Sequence, residues 1–143
     1  MVEAVDNPIN VGSIVRNAVA LGWDGMIFDY TSADPLSRRS LRVSMGQAIA
    51  FPTARSTELP DELQRLADHG FAVCALTPSP GAADIDTIPM ATKMAVVIGS
   101  ERHGLSAASL DACTHRARIP MAEGIDSLNA AAATAIACYA LRR

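Results

Sequence analysis

The sequence predicts an α/β domain in which a mostly parallel sheet is flanked by helices. Short apolar runs without alternation indicate strands that are buried on both faces, as in a parallel sheet covered by helices. Between these runs lie segments whose apolar residues recur at helical spacing. Of the 143 residues, 50% are hydrophobic, 4% are aromatic and 19% are charged, which is typical of one compact α/β domain and not of a disordered chain.

Five mainly apolar runs predict the strands. Val, Ile, Ala, Met, Leu and Phe follow one another in these runs instead of alternating with polar residues. We therefore expect each strand to lie inside the sheet with helices on both sides. The predicted strands cover residues 2–5, 26–28, 71–76, 94–98 and 117–119.

Helices are predicted between and after the strands. In the first helix an apolar stripe follows Asn10, a good N-cap residue, and Gly22 is the expected stop. The last helix opens at Ser127 and runs for roughly four turns through an alanine-rich segment to Arg143. The other predicted helices cover residues 38–45, residues 59–67 and a segment after Ser106.

Charge and cysteine content narrow the function classes. The formal net charge of −3 argues against a dedicated nucleic-acid-binding domain, so nucleic-acid contacts would have to rest on local arginine clusters. No run resembles a signal peptide or is long enough to cross a bilayer, so no membrane association is expected.

The cysteines Cys74, Cys113 and Cys138 lie in apolar surroundings without metal-ligand spacing. They predict reduced core thiols in a cytoplasmic protein.

The first polar segment, residues 6–18, joins the first predicted strand to the first helix. Gly12, Arg16 and Ala20 lie on one stripe of that helix. Small residues on either side of an arginine would let a bulky partner approach its guanidinium group. The same spacing also fits an ordinary surface arginine, so both interpretations remain open at this point.

The second polar segment, residues 97–106, follows a predicted buried strand. It contains Gly99, Glu101 and Gly104, and Ser106 is expected to cap the next helix. The glycines would permit close approach of a ligand to the backbone. An ordinary strand-to-helix connection has the same pattern. No second His or Cys lies at metal-ligand spacing from His103, so no metal site is predicted.

The third polar segment, residues 119–129, links the last strand to the last helix. Loops at this place bind ligands in open parallel sheets, although the glycine fingerprint of a dinucleotide site is missing. Taken singly, Ser127 could be a helix cap and Asn129 a residue of the first turns. The alanines at 130–133 could serve helix propensity alone, or they could allow close packing at a subunit interface.

Taken in order, the three segments resemble the motifs of the SpoU (TrmH-type) family of RNA ribose 2′-O-methyltransferases in the SPOUT superfamily. The matching patterns are N-x-x-N-x-G-x-x-x-R-x-A, I-G-S-E-x-x-G-L-S and I-P-M-x-x-x-x-x-S-L-N. The resemblance extends from Val2 to Arg142 and implies one catalytic domain over residues 1–143. Because the first strand begins abruptly, we expect this domain to be the C-terminal part of a longer chain. The resemblance further implies a C-terminal deep trefoil knot, an exception to the rule against threaded chains.

The resemblance also implies a homodimer that binds S-adenosylmethionine bent within the knot. Five residues match the family's polar site positions and are the expected catalytic set: Asn10, Arg16, Glu101, Ser127 and Asn129. The expected cofactor-binding residues are Leu76, Thr77, Gly99, Ser100, Glu101, Gly104, Ile119, Pro120, Met121, Ser127 and Leu128. Arg16 is expected to clamp the adjacent phosphate and the developing alkoxide instead of acting as a base, because a guanidinium group effectively does not deprotonate.

RNA, either rRNA or tRNA, is the substrate that the resemblance implies. Arg38, Arg39 and Arg42 concentrate positive charge in an otherwise acidic chain and are expected to bind phosphates together with Arg16. The alternative for this cluster is a solvated helical face. One departure from the family is Ala130-Ala131, where Val-Ser is common after the motif asparagine.

Two other functions remain as alternatives. A knotted RNA-binding or dimerisation module without catalytic activity would keep the fold, but the retained polar motif residues speak against it. A nucleotide-binding domain of the oxidoreductase kind is disfavoured because no strand is followed by G-x-G-x-x-G or a Walker sequence.

Overall fold

Strands alternate with helices along the chain. The described part of the computed structural model comprises residues 1–125 and 127–142. Its strands are β1 (Met26–Asp29), β2 (Thr53–Ser56), β3 (Ala72–Leu76), β4 (Ala83–Asp84), β5 (Met94–Val97) and β6 (His115–Arg118). Its helices are α1 (Pro8–Ala20), α2 (Arg38–Val43), α3 (Leu59–Asp68), α4 (Ala107–Ala112) and α5 (Ala130–Ala140), with 3₁₀ turns at Gln47–Ile49 and Ile85–Thr87.

The strands form one parallel arrangement that is joined in the middle by Val2. β1 pairs with β2, and the other strands pair in the order β4-β6-β3-β5, all of them parallel. Val2 makes parallel bridges to Phe28 beside β1 and to Ile98 beside β5. The complete order is therefore β2, β1, the Val2 segment, β5, β3, β6 and β4. Because these strands are parallel, their carboxyl ends lie at the same edge of the sheet.

Two hydrophobic clusters cover the two faces of the sheet. Cys74 and Val96 point into the cluster that contains α1 and α5, while their neighbours Val73 and Val97 point into the cluster with α3. This alternation follows from the period of two in a strand. Burial on both faces explains the unbroken apolar runs of β3 and β5, and the predicted fold class of a mostly parallel sheet flanked by helices is confirmed.

The strand predictions were wrong in three places. The predicted strand over residues 2–5 is reduced to a bridge at Val2, because Ala4 has a positive φ of 54° that ends the extended backbone. β2 was missed because it is a largely exposed edge strand with the polar sequence T-A-R-S. β4 has only two residues and is defined by its pairing with β6.

Two predicted helix starts were also wrong. Asn7, and not Asn10, caps α1, since its side chain accepts the Ile9 N–H at 2.9 Å, and Asn10 lies inside the helix. α5 is capped by Asn129, not opened by Ser127, and its 11 residues make about three turns. The helix ends at Ala140, before its predicted end at Arg143, which itself lies outside the described residues. No helix in the described part is long and apolar enough to cross a bilayer.

Gly12 brings α1 and α2 into close contact. A Cβ atom at this position would lie 2.6 Å from the Ser40 carbonyl oxygen and 2.9 Å from Cβ of Val43. The hydroxyl of Ser40 also donates to the carbonyl of Pro8 at 3.1 Å. Gly12 therefore serves the packing of α2 on α1, and not the approach of a ligand to Arg16.

Candidate cofactor and active site

The loops that follow β3, β5 and β6 surround a cavity of about 460 Å³ at the carboxyl edge of the sheet. Ten of the eleven residues predicted to bind the cofactor line this cavity: Leu76, Thr77, Gly99, Ser100, Glu101, Gly104, Ile119, Met121, Ser127 and Leu128. Pro120 lines an adjoining cavity of about 540 Å³ with Arg118 and Met121.

Several residues of the cavity wall were not predicted from the sequence. Arg102 and His103 lie between the two motif glycines, and this position was the signal that could have found them. Ala130 and Ala133, in the first turn of α5, were interpreted only through helix propensity and packing. The unassigned lining residues are Pro78, Ser79, Ile98, Arg102, His103, Leu105, Leu110, Ala130 and Ala133.

A tight turn presents Glu101, Arg102 and His103 at the mouth of the cavity. The N–H of Gly104 donates to the Ser100 carbonyl at 2.9 Å, and the N–H of His103 donates to the Ser100 hydroxyl at 3.2 Å. A Cβ atom on Gly99 would lie 2.3 Å from the carbonyl carbon of Gly104. The small residue at 99 is thus required by the chain folding back on itself, whereas the sequence had suggested close approach of a ligand.

Glu3 fixes the far end of this turn. Its carboxylate accepts hydrogen bonds from the Ser106 N–H at 3.1 Å, the Ser106 hydroxyl at 2.7 Å and the Ser109 hydroxyl at 3.0 Å. These contacts tie the segment around Val2 to the start of α4, which Ser106 caps as predicted. Glu3 was not predicted from the sequence, although a carboxylate inside an otherwise apolar run was a signal for it.

Three motif residues that are far apart in the sequence meet beside the cavity. Asn10 Nδ2 donates to Glu101 Oε1 at 3.0 Å, and Asn129 Nδ2 donates to the same oxygen at 2.7 Å and to Asn10 Oδ1 at 3.0 Å. The N–H of Ala130 adds a further bond to Glu101 Oε1 at 3.1 Å. We call Asn10, Glu101 and Asn129 the polar network.

The carboxylate of Glu101 is held through one of its two oxygens. The bonds from the polar network and from Ala130 all end on Oε1, and Oε2 has no partner among residues 1–125 and 127–142. Negative charge is favourable here because the N-terminus of α5 carries the positive end of the helix dipole. Oε2 is thus available to a cationic ligand in the adjacent cavity.

Asn129 has two structural roles at once. Its Oδ1 atom accepts the N–H groups of Ala131 at 3.0 Å and Ala132 at 3.3 Å, so it caps α5. Its Nδ2 atom donates into the polar network. The sequence had suggested Ser127 as the possible cap and Asn129 as a residue of the first turns, whereas the structure gives the cap to Asn129.

Arg16 and Ser127 are not part of the polar network. Ser127 is exposed and lines the cavity. Arg16 is exposed on α1, about 9 Å along the helix axis and about 120° around it from Asn10, as six residues of α-helix require. Within one chain, the structure therefore does not bring Arg16 to Glu101.

The predicted phosphate-binding arginines lie on and beside α2. Ser37 caps this helix, and Arg38, Arg39 and Arg42 are all exposed. None of them forms an ion pair with an acidic residue in the described part of the chain. Since α2 packs on α1, these positive charges share one side of the molecule with the helix that carries Arg16.

The cysteine thiols and the possible metal ligands of the described residues do not point to a nucleophilic thiol or to a metal site. Burial raises the pKa of the Cys74 and Cys138 thiols to about 11. Burial, followed by the nearby Cys74, raises the pKa of Cys113 to about 12. All three thiols are free and protonated at neutral pH, so they are poor nucleophiles. Within residues 1–125 and 127–142, no group of three or more His, Cys, Asp or Glu side chains is placed to hold a metal ion.

Comparison with known proteins gives the family. The model of the SpoU rRNA methylase family matches residues 1–139 of the chain. The chain belongs to this family. The predicted membership is thereby confirmed.

Relatives of the SpoU chain extend well beyond it. An uncharacterised tRNA/rRNA methyltransferase of Mycobacterium tuberculosis is 43% identical over 142 residues, which are 97% of this chain and 49% of the relative. The structure of an rRNA methyltransferase from Sinorhizobium meliloti with bound AdoMet matches this chain with a TM-score of 0.89 at 35% sequence identity. The match covers 98% of this chain and 53% of the Sinorhizobium chain. A solved RNA 2′-O ribose methyltransferase has a TM-score of 0.84 at 28% identity, with coverages of 98% and 54%. The chain thus spans about half the length of the curated relatives it matches.

Proposed function

We propose that this chain is the catalytic part of an S-adenosylmethionine-dependent tRNA or rRNA methyltransferase that methylates a ribose 2′-hydroxyl. The observation that carries the proposal is the polar network, which places an incompletely bonded carboxylate oxygen beside a cavity of about 460 Å³. Family membership and the AdoMet-bound structure of a relative support the same cofactor. The solved 2′-O ribose methyltransferase supports the ribose hydroxyl as acceptor.

The size of the cavity and the residues that line it fit S-adenosylmethionine. Its volume lies in the range of small-molecule sites. Leu76, Ile119 and Leu128 offer apolar contacts for a purine ring, and the Oε2 atom of Glu101 offers a negative charge to a cationic group. Bound there, the cofactor supplies a methyl group that is already activated by its positive sulfur.

The protein's own residues then have to orient the acceptor and help it lose a proton. Asn10 and Asn129 hold Glu101 at the cavity mouth. Arg16 binds the phosphate next to the target ribose and stabilises the developing alkoxide, since its donors suit both anions and its guanidinium group does not give up a proton. Arg38, Arg39 and Arg42 bind further phosphates of the RNA.

A homodimer would bring Arg16 to a site that one chain leaves incomplete. The outer faces of α1 and α5, which pack together, expose Ile9, Ile136 and Tyr139. A second copy that covers these apolar side chains would place its own α1 near the polar network. We therefore propose that the active site combines Glu101 of one subunit with Arg16 of the other.

Mixing two impaired variants tests this arrangement, with S-adenosylmethionine kept at the dissociation constant of the wild type so that Glu101→Gln alone binds little of it. If Arg16 acts across the dimer, unfolding and refolding Arg16→Ala together with Glu101→Gln at equal concentrations should restore about a quarter of the wild-type activity, because half of the dimers are mixed and each has one intact site. If the mixture stays inactive although mixed dimers form, Arg16 and Glu101 act within one subunit.

The C-terminal trefoil knot remains part of the proposal. β6 pairs with both β3 and β4, so residues 77–82, which join β3 to β4, have to cross β6. The register places this crossing near the carboxyl end of β6, where the chain leaves the strand after Arg118. This arrangement supports the proposal that the C-terminal segment is threaded beneath residues 77–82.

Two measurements test the proposed function. Calorimetry should show binding of S-adenosylmethionine but not of NAD. Tritiated methyl groups should then be transferred to total RNA and, after alkaline hydrolysis, remain in dinucleotides, because a methylated 2′-oxygen cannot attack the neighbouring phosphate. Label in mononucleotides would indicate a base methyltransferase. RNA binding without any label would favour the catalytically silent module.

A further inference from the structure

Tyr30 is an exposed aromatic side chain at the functional edge of the sheet. It directly follows β1 and is 65% exposed. The chain has six aromatic residues in all, and most of the others are occupied in the core. The second exposed tyrosine, Tyr139, has the Arg142 guanidinium 4.0 Å from its ring centre. The ring of Tyr30 has no comparable partner in the described part of the chain.

The turn that carries Tyr30 is fixed by a buried carboxylate. Asp29 accepts hydrogen bonds from the backbone N–H groups of Ala4 at 2.9 Å, Ser32 at 3.0 Å and Thr31 at 3.3 Å, and from the hydroxyls of Thr31 and Ser32. Burial would by itself raise the pKa of Asp29, but the bonds from Ser32, Thr31 and Ala4 outweigh it and lower the pKa below its ordinary value. The carboxylate therefore stays ionised and keeps its bonds.

Arg55 on β2 holds the same turn from the other side. Its Nη2 atom donates to the carbonyl oxygens of Asp29 at 3.2 Å, Tyr30 at 2.9 Å and Ser32 at 2.6 Å. An aromatic ring on so rigid a turn loses little conformational entropy when a ligand stacks on it.

The surroundings of Tyr30 suit a polyanion. β1 and β5 are separated by the Val2 segment, so the turn after β1 lies about 10 Å, or two strand spacings, from the loop that carries Glu101. The chain continues from Tyr30 into α2 with its exposed arginines Arg38, Arg39 and Arg42. Tyr30 thus lies in the segment that leads from the edge of the proposed active site to the helix that is proposed to bind phosphates.

We propose that Tyr30 stacks on an unpaired nucleobase of the RNA substrate, close to the nucleotide that is methylated. Bases in single-stranded loops stack on exposed aromatic side chains, whereas bases inside an A-form duplex are not accessible to them. The substrate is therefore RNA with an unstacked base near the target ribose, in a loop or bulge. This inference rests on the proposed function, because it names the class of RNA that the same site accepts.

Binding of short RNA probes tests the inference. Fluorescence anisotropy is measured with a labelled oligoadenylate and with a duplex of equal length, over a series of salt concentrations. Tyr30→Ala should weaken oligoadenylate binding about 5- to 100-fold, while Tyr30→Phe and Tyr30→Trp keep it, since stacking needs the ring and not the hydroxyl. Tyr30→Ala should not change the affinity for the duplex or for S-adenosylmethionine. The slope of log affinity for RNA against log salt concentration should also stay the same.

Met90→Ala is the matched control. Met90 is also exposed, but it precedes β5 and so lies at the opposite edge of the sheet. Stacking would be overturned if Tyr30→Ala binds oligoadenylate as tightly as the wild type does. It would also be overturned if Tyr30→Ala loses as much affinity for the duplex as for oligoadenylate. If the wild type methylates total RNA and Tyr30→Ala does so at the same rate, the inference fails and the proposed function stands. If the wild type transfers no methyl group, the proposed function fails, and the oligoadenylate series still decides whether Tyr30 stacks.

Discussion

Replacing Glu101 with Gln tests whether its charge, and not only its shape, organises the site. The amide keeps one oxygen that can accept the bonds from Asn10, Asn129 and Ala130, which end on Oε1 at 3.0, 2.7 and 3.1 Å. It removes the negative charge from both oxygens. Hydrogen bonds to a charged acceptor contribute about 1.5–3 kcal/mol each and bonds to a neutral one about 0.5–1.5 kcal/mol. Because Glu101 is exposed to solvent, we discount this difference and expect a total loss of about 1–2 kcal/mol in unfolding free energy.

Cofactor affinity should fall by a comparable amount. Two opposite unit charges about 4 Å apart near a protein surface attract each other by about 4 kcal/mol, and solvent exposure of Glu101 reduces this to about 1–2 kcal/mol. S-Adenosylmethionine should therefore bind Glu101→Gln about 5- to 30-fold more weakly in calorimetry. Glu58→Gln, which changes an exposed carboxylate at the start of α3, is the control and should bind normally. Wild-type affinity in Glu101→Gln would refute the assignment of a cationic group of the cofactor to Glu101.

Three further substitutions test other parts of the molecule. Arg16→Ala should abolish methyl transfer and leave S-adenosylmethionine affinity within a few-fold; a large loss of cofactor binding would refute its role toward the substrate. The double variant Arg38→Ala/Arg39→Ala should reduce the slope of log affinity for RNA against log salt by about 1.4–1.8, and an unchanged slope would indicate a solvated helical face. Gly12→Ala should lower the unfolding free energy in urea by about 1–3 kcal/mol through overpacking against Ser40, whereas Gly81→Ala, with open space around it, should not.

The sequence was sufficient to predict the elements that decide the site. Carboxyl ends of parallel strands share one edge, so the motif segments after β5, β6 and the Val2 segment were expected at the same edge once the sheet was recognised as parallel. The direct contact of Asn10 with Glu101 and Asn129 depends in addition on the strand order and on the packing of α5 on α1, which the sequence did not predict. The spacing of Arg16 from Asn10 on one helix could also have shown that they face different directions.

Features that depend on tertiary contacts could not be predicted. Gly12 permits a contact with α2, which is distant in the sequence, and Gly99 permits the chain to fold back onto Gly104. No local sequence pattern predicts either contact. β4 exists because β6 pairs with it. The N-cap of α1 is different, since Asn7 precedes a proline and proline is favoured at the first helical position. That local signal was sufficient to choose Asn7 over Asn10.

The docking of α5 on α1 links folding to the proposed chemistry. α5 is rich in alanine and offers little apolar area, so polar contacts have to contribute to its attachment. These contacts recur along α1 and just beyond its end: Asn10 bonds to Asn129, Asn17 Nδ2 donates to the Ala131 carbonyl at 2.9 Å, and Trp23 Nε1 donates to the Cys138 carbonyl at 3.2 Å. The first of these bonds belongs to the polar network. Because the contact that seats the N-terminus of α5 also positions Glu101, the cavity acquires its charged wall only when the last helix has docked on the first.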